Sequence, residues 1–221
     1  MKDFHQNHPM PHPVLTNIRG KPTFITLDVL ITEAYANAMS VPTNNGGGRH
    51  GHLGAITTPN YYATISQQNT AFVHPPQPAA QAPPTGTIAQ VTELTRIYNE
   101  TRQIYQLYNY VCTTIKNQII AAIDLDYINA LRQHRLGFAN VTTLQLIGYL
   151  QDEYGAPNAN DHETYRNQLS KARNPDEPIQ KFFNKVARIC DLVPSINSEE
   201  KMAKCRLAFQ KTGIHDQPVM E

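Results

Sequence analysis

Thirty-six consecutive residues, Thr87 to Ala122, contain neither glycine nor proline. Val91, Leu94, Tyr98, Tyr105, Tyr108, Val111, Ile115 and Ile119 recur through them at spacings of three, four and seven. That period belongs to one face of an α-helix and to no strand. At 1.5 Å per residue such a run spans roughly 54 Å as a single helix, or less as two helices with a bend. The four tyrosines 98, 105, 108 and 110 could serve as a base-stacking platform. With only Arg96, Arg102 and Lys116 beside them, a packed helical stripe is the expectation.

Downstream, short amphipathic helices follow one another, each with start and stop signals. Asp126 can cap a helix from Tyr127 to Gln133, ending before Gly137. Thr142 and Gln145 form a capping box, with Val141 and Leu146 as its hydrophobic staple. Leu146, Ile147, Leu150 and Tyr154 then bury one face, and Gly155 is read as a left-handed stop. Asn160 and Glu163 open the next helix, with Tyr165, Leu169 and Ala172 on its face and Asn174-Pro175 as its end. Asp176, Glu177 and Pro178 start another, whose Ile179, Phe182, Phe183, Val186 and Ile189 face inward until Pro194. Asn197 and Glu200 cap the last, with Met202, Cys205, Leu207 and Phe209 partly inward and Lys211 and Gly213 closing it. The polar tail Ile214–Glu221 marks no domain end, which reads as a piece of a longer frame.

Upstream, composition changes. Residues 1–86 hold 11 of the 16 prolines, 7 of the 11 glycines and 6 of the 9 histidines. Pro and Gly interrupt regular structure, so residues 1–66 read as a loop-rich segment with short helices at Thr26–Ser40 and Pro59–Ser66. Leu27, Leu30, Ile31, Tyr35 and Met39 share a face of the first. In the second, Pro59 occupies the first position, where its missing N–H costs nothing. Residues 67–86 are Pro, Ala and Gln-rich and read as an extended spacer, with Pro75–Pro78 as the alternative interaction motif. The domain boundary is placed there, leaving 87–221 as one helical domain.

Chemistry is specified poorly. Lys plus Arg is 19 and Asp plus Glu is 18, a net charge of +1, against the strong basic excess of a dedicated nucleic-acid domain. Cys112, Cys190 and Cys205 lie 78 and 15 residues apart, a spacing that suits no zinc knuckle or CxxC motif. They read as buried free thiols in a reducing, cytoplasmic setting. Gly46–Gly54, GGGRHGHLG, has glycines that could approach a phosphate but lacks a GKS or GKT ending. Its His50 and His52 would need two further metal ligands. A mobile linker loop is the expectation, with ligand binding as the alternative. The pairs Asp152-Glu153, Asp176-Glu177 and Glu199-Glu200 point about 100° apart on a helix and share no substrate unaided. His134, His162 and His215 are isolated. No GxSxG, HExxH or Walker sequence occurs. No catalytic, cofactor-binding or metal-ligating residue is assigned, no cofactor or small-molecule substrate is expected, and no apolar run suits a membrane.

The order of motifs resembles the Gag region of copia-type LTR retrotransposons. The residues that carry the likeness are Tyr127-Ile128-Asn129-Ala130-Leu131, Gly137-Phe138, Thr142–Leu150 and Glu153-Tyr154-Gly155. Asn174-Pro175-Asp176-Glu177-Pro178-Ile179 and Phe182-Phe183 then match the family's "P.EPI..F" helix. The likeness covers about residues 110–214, and Leu15–Gly54 is similar to some Gag leaders. It implies an α-helical capsid-type protein that self-associates into particles around element RNA. The chain departs from the family's pattern in having no CCHC knuckle.

The expectation is therefore a mainly α protein, a loop-rich N-terminal segment followed by a capsid-like helical bundle. Its partner is a second copy of itself, with RNA bound weakly. The alternative is a helical module that does not assemble, using Lys171, Arg173, Lys181, Lys185 and Arg188. An exposed Lys/Arg stripe would favour that module, and an exposed apolar patch would favour assembly.

Overall fold

The computed structural model describes residues 8–66, 71–79, 85–157, 159–193 and 195–212. The parts of the 67–86 spacer at 67–70 and 80–84, together with Pro194, Gly213, His215 and the tail, lie outside the described residues. Among those described, the protein is mainly helical, with seven α-helices and no strand. They are α1 (Phe24–Ser40), α2 (Pro59–Ser66), α3 (Ile88–Ala122), α4 (Thr143–Tyr154), α5 (Ala159–Leu169), α6 (Ile179–Leu192) and α7 (Ser198–Gln210). None is long and apolar enough to cross a membrane. The chain falls into two compact units, Met1–Ala156 and Pro157–Glu221. The change of composition at 67–86 predicts a division there instead. Composition changes there, but packing does not, because apolar residues on both sides of that segment share one core.

In the first unit α1, α3 and α4 pack pairwise. Three of the four helices start with a reciprocal capping box. Thr23 and Thr26 cap α1, Thr87 and Gln90 cap α3, and Thr142 and Gln145 cap α4. Each box satisfies amides that the first helical turn would otherwise leave unpaired. Leu27, Leu30, Ile31, Ala34 and Ala38 from α1 are buried against Val111, Ile115 and Ile119 from α3 and Leu146, Ile147 and Leu150 from α4. Met39, expected on the packed face, is 42 % exposed, and Asn37 is buried instead. Gly155 follows α4 in a right-handed conformation, φ −82° and ψ −8°, and its amide donates to the Gln151 carbonyl at 2.9 Å. The expected left-handed stop is absent because the helical hydrogen-bond pattern simply runs one residue further.

The N-terminal arm is built into this core. Leu15 and Ile18 are buried, and the Ile18 amide donates to the Ala122 carbonyl at 2.8 Å. Asn37 ties the arm down. Its Oδ1 accepts from the His12 amide at 2.9 Å, and its Nδ2 donates to the His12 carbonyl at 2.7 Å and to Gln118 Oε1 at 3.0 Å. Gln118 Nε2 donates to the Pro13 carbonyl at 3.0 Å. Thr16 gives the Glu33 carboxylate two bonds, from its amide at 2.7 Å and its hydroxyl at 2.6 Å.

The helix expected at Tyr127–Gln133 is two 3-10 turns, Leu125–Tyr127 and Asn129–Leu131, capped by Asp124 rather than Asp126. A tight turn then pairs Gln133 with Gly137, with Arg135 and Gly137 at positive φ. A turn this close to the expected C-terminus leaves too few residues to carry an α-helix. Lys116 secures the loop that follows, donating to the carbonyls of Phe138 at 3.1 Å and Val141 at 3.0 Å.

In the second unit α5, α6 and α7 pack on one another. Tyr165, Leu169, Val186, Ile189, Val193, Ile196 and Ala208 are buried. Phe182 meets Phe183 and Phe209 edge-to-face and Phe183 lies tilted to Phe209, with the Arg173 guanidinium 6.0 Å over the Phe209 ring. Arg166 pairs with Glu200 at 2.9 Å. Helix α5 begins before Asn160 and ends at Leu169, so Asn160 lies in its first turn and Ala172 is exposed beyond it. Asn197 does cap α7, its Oδ1 accepting from the Glu200 amide at 2.7 Å. That helix turns Ala208 inward, not Met202, which is 70 % exposed.

Candidate functional site

Three features stand out from the packing, and they differ in what they offer a partner. The first is the glycine-rich loop. From Gly51 to Thr57 every residue is buried, while Gly47 to Arg49 are exposed, so the second half of the expected mobile linker Gly46–Gly54 is a packed part of the core. Gly51 has φ +48°, and a Cβ there would lie 2.5 Å from the Met39 carbonyl and 2.6 Å from that of Val41. A Cβ at Gly54 would strike the Phe72 ring. These glycines let two stretches of chain approach, which is a packing role and not a phosphate cradle.

Burial separates the loop's two histidines. His52 is 1 % exposed, and its Nδ1 lies 2.8 Å from the Val41 carbonyl, which requires the tautomer that donates. Burial pushes its pKa below the ordinary value, against the opposing effect of the Val41 bond and with a small contribution from His8. It is thus a neutral strut. His50 is half-buried and meets Tyr62 edge-on, the rings 6.4 Å apart. Among the described residues no group of three or more His, Cys, Asp and Glu could hold a metal ion.

Phe72 shows that the proline-rich segment is more than a spacer. It stacks edge-on against Tyr62, the Val73 amide donates to the Asn45 carbonyl at 2.7 Å, and His74 Nδ1 lies 2.9 Å from the Tyr108 hydroxyl. The aromatic side chain was the signal, set among prolines and alanines that bury little. Burial also pushes the neighbouring Cys112 thiol up to about 11, which keeps it protonated and unreactive.

The second feature is a groove of about 620 Å³ between α1, α2 and α4. Leu27, Ile31, Ile56 and Ile147 form its floor, and Tyr35 and Tyr61, their rings 6.0 Å apart, form one wall. Burial, reinforced by Tyr61, pushes the Tyr35 hydroxyl up to about 12. Its lining includes one carboxylate, Asp28, and neither histidine nor cysteine. A lone carboxylate supplies at most one half of an acid/base pair, and no nucleophile with its base lines the groove. The volume is of ligand size, but the chemistry is that of an apolar cleft.

The third feature is the first half of α3. No residue from Ile88 to Tyr110 is buried, and Leu94, Ile97 and Ile104 are 54 %, 46 % and 45 % exposed. The spacing predicts Leu94 and Tyr98 on a packed stripe, but periodicity gives a helix its apolar face without saying what covers it, and Leu94 is exposed while Tyr98 is half-buried. Length held the missing signal. A unit of about 150 residues has a radius of gyration near 15 Å, and a helix of about 52 Å is too long to be covered by it throughout. Glu93, Arg96 and Glu100 line the flank of this stripe, with Arg96 bonded to both carboxylates at 2.7 and 2.5 Å.

The paired carboxylates lie at helix ends and on exposed or half-exposed faces. In the second unit Lys181, Lys185 and Arg188 recur along the exposed side of α6, with Lys181 bonded to Glu177 at 2.8 Å. Comparison with family models, with curated proteins and with solved structures finds no match for this chain.

Proposed function

We propose that this chain is a structural protein that self-associates, in the manner of the capsid part of a retroelement Gag protein, and is not an enzyme. The observation that carries the reading is the exposed half of α3, which keeps an apolar stripe that none of the described residues buries. Contiguous exposed apolar surface on a soluble protein marks a contact surface. The motif order from Tyr127 to Phe183 supports the likeness to that family.

RNA would enter through weak local charge. Lys181, Lys185 and Arg188 stand at i, i+4 and i+7 on α6 and give one exposed basic row. A row of this size contacts few phosphates, so its affinity falls steeply with salt. The same row favours the second reading, a helical module that binds nucleic acid without assembling.

Light scattering behind size-exclusion, at low and high salt and with and without RNA, separates the two. Concentration-dependent oligomers of the chain alone, enlarged by RNA, support assembly. A monomer in every condition overturns it, and a monomer that binds RNA in a salt-sensitive way establishes the module.

A further inference from the structure

We propose that the first half of α3 docks against the same half-helix of a second copy, running antiparallel about a two-fold axis near Asn99. This rests on the self-association reading and names the surface and the geometry that reading leaves open.

The direction follows from where the stripe lies around the helix. At about 100° per residue, Leu94, Ile97, Thr101 and Ile104 fall within an arc of roughly 80°. Val111, Ile115, Ile119 and Ala122 fall on nearly the same arc, and these are buried. The bare stripe is thus a continuation of the stripe that the core covers. A straight partner helix lying parallel on Leu94–Ile104 would run on into the space beside Val111–Ala122, where the unit's own core already packs. An antiparallel partner avoids that collision. Its own core then lies beyond Ile88, and the two bare halves cover each other over the same length. The contact is isologous, with Leu94 facing Ile104 of the second copy and Ile97 facing its Thr101.

Charge permits a copy to be the occupant. Between Ile88 and Gln106 the charged residues are Glu93, Arg96, Glu100 and Arg102, two of each sign. Arg96 is already bonded to both carboxylates. Two identical segments therefore meet without net repulsion, whereas a strongly charged partner such as RNA gains nothing from this face.

Area sets the strength. A third of the surface of a helical cylinder over about 28 Å is roughly 350 Å² per partner, below the ~800 Å² of a standard interface. The pairing is consequently weak and concentration-dependent, of the kind that repetition across an assembly makes durable.

Cross-linking reads the geometry directly. In the full chain with Cys190→Ser and Cys205→Ser, Leu94→Cys and Ile104→Cys variants are made separately and oxidised at tens of micromolar. The expected result is little disulfide dimer from either alone and abundant 94–104 heterodimer when they are mixed. Leu94→Cys dimers formed as readily alone, or no cross-link in the mixture, overturn the antiparallel contact. In parallel, Ile97→Asp should weaken self-association at least tenfold by sedimentation, at unchanged circular dichroism and in high salt. If the wild type associates and Ile97→Asp associates equally, this surface is wrong while self-association stands. If the wild type is monomeric at every concentration, both fall.

Discussion

The two halves of α3 are built from the same kind of sequence and have opposite fates. From Val111 to Ala122 the helix buries Val111, Ile115, Ile119 and Ala122 in a core shared with α1 and α4. From Ile88 to Gln106 it fully buries no residue, although Leu94, Ile97 and Ile104 continue the same stripe. An apolar period makes a helix amphipathic, but burial needs a second surface within reach. The contrast also separates two sources of helix stability. The covered half rests on packing. The bare half rests on its capping box at Thr87 and its Glu93–Arg96–Glu100 pairs, which are local effects of small size.

The largest test of that contrast is truncation in each half. Ile115→Ala should cost 2–5 kcal/mol by denaturant unfolding, from lost transfer energy plus the cavity left in the core. Ile97→Ala, measured at a concentration too low for association, should change stability by less than about 0.5 kcal/mol. Equal costs would mean that the first half is covered after all.

Polar contacts offer a second test of moderate size. Asn37→Leu removes the bonds to Gln118 and to the His12 backbone and leaves buried groups unpaired. A loss of roughly 1–3 kcal/mol is expected. Arg96→Ala, which breaks the ion pairs of the bare half, should leave the unfolding midpoint where it was. A large Arg96 effect would show that exposed pairs, not the core, hold this helix.

Capping gives a smaller and sharper comparison, because the two boxes are chemically alike. Thr142→Ala should cost about 1 kcal/mol, since α4 is short and buries its apolar face in the core. Thr87→Ala should fray only the free end of α3 and leave global unfolding unchanged. Hydrogen exchange would show the loss confined to the first turns after Thr87.

The smallest effect is a slope with pH. His52 is held neutral in the fold, so its native pKa lies below the ordinary value of about 6.5. The unfolded chain then binds the extra proton, and the stability this group contributes is present above pH 6.5 and lost as pH falls towards its native value. Glu33 acts in the same direction at lower pH. Burial opposes its charge, but the Thr16 hydroxyl and amide outweigh that and hold its carboxyl below the ordinary range. His52→Asn, which can keep the bond to the Val41 carbonyl, should flatten the melting temperature between pH 7 and 5. Exchange protection at Val111–Ala122 should fall with pH in the wild type, while that at Ile88–Gln106 should not follow it.

Much of the helical content was legible because its signals are local. Pro59 and Ser66 bound α2 where expected, and Thr142, Gln145 and Asn197 cap as their side chains dictate. Errors came where a local signal had several structural outcomes. Glycine at 155 permits a left-handed stop without requiring one, and glycines 51 and 54 read as freedom when they serve close approach. Asp126 and Asn160 are good caps by type, but the neighbouring turns begin a little earlier. Of the candidate site, the apolar stripe was visible and its exposure was not. The groove was not visible at all, since its walls come from three helices far apart in the chain.

The sequence alone therefore determined most of the helical segments, where most of them start and which face of each is apolar. Those properties depend on residues within a few positions of one another. Only the tertiary structure decided that the proline-rich N-terminal region shares a core with α3 and α4, that the chain divides after Ala156 and that half of the longest helix is left bare. Each of these depends on contacts between residues distant in sequence. Burial is a property of the surface a face meets, and a periodic pattern carries no record of whether that surface is there.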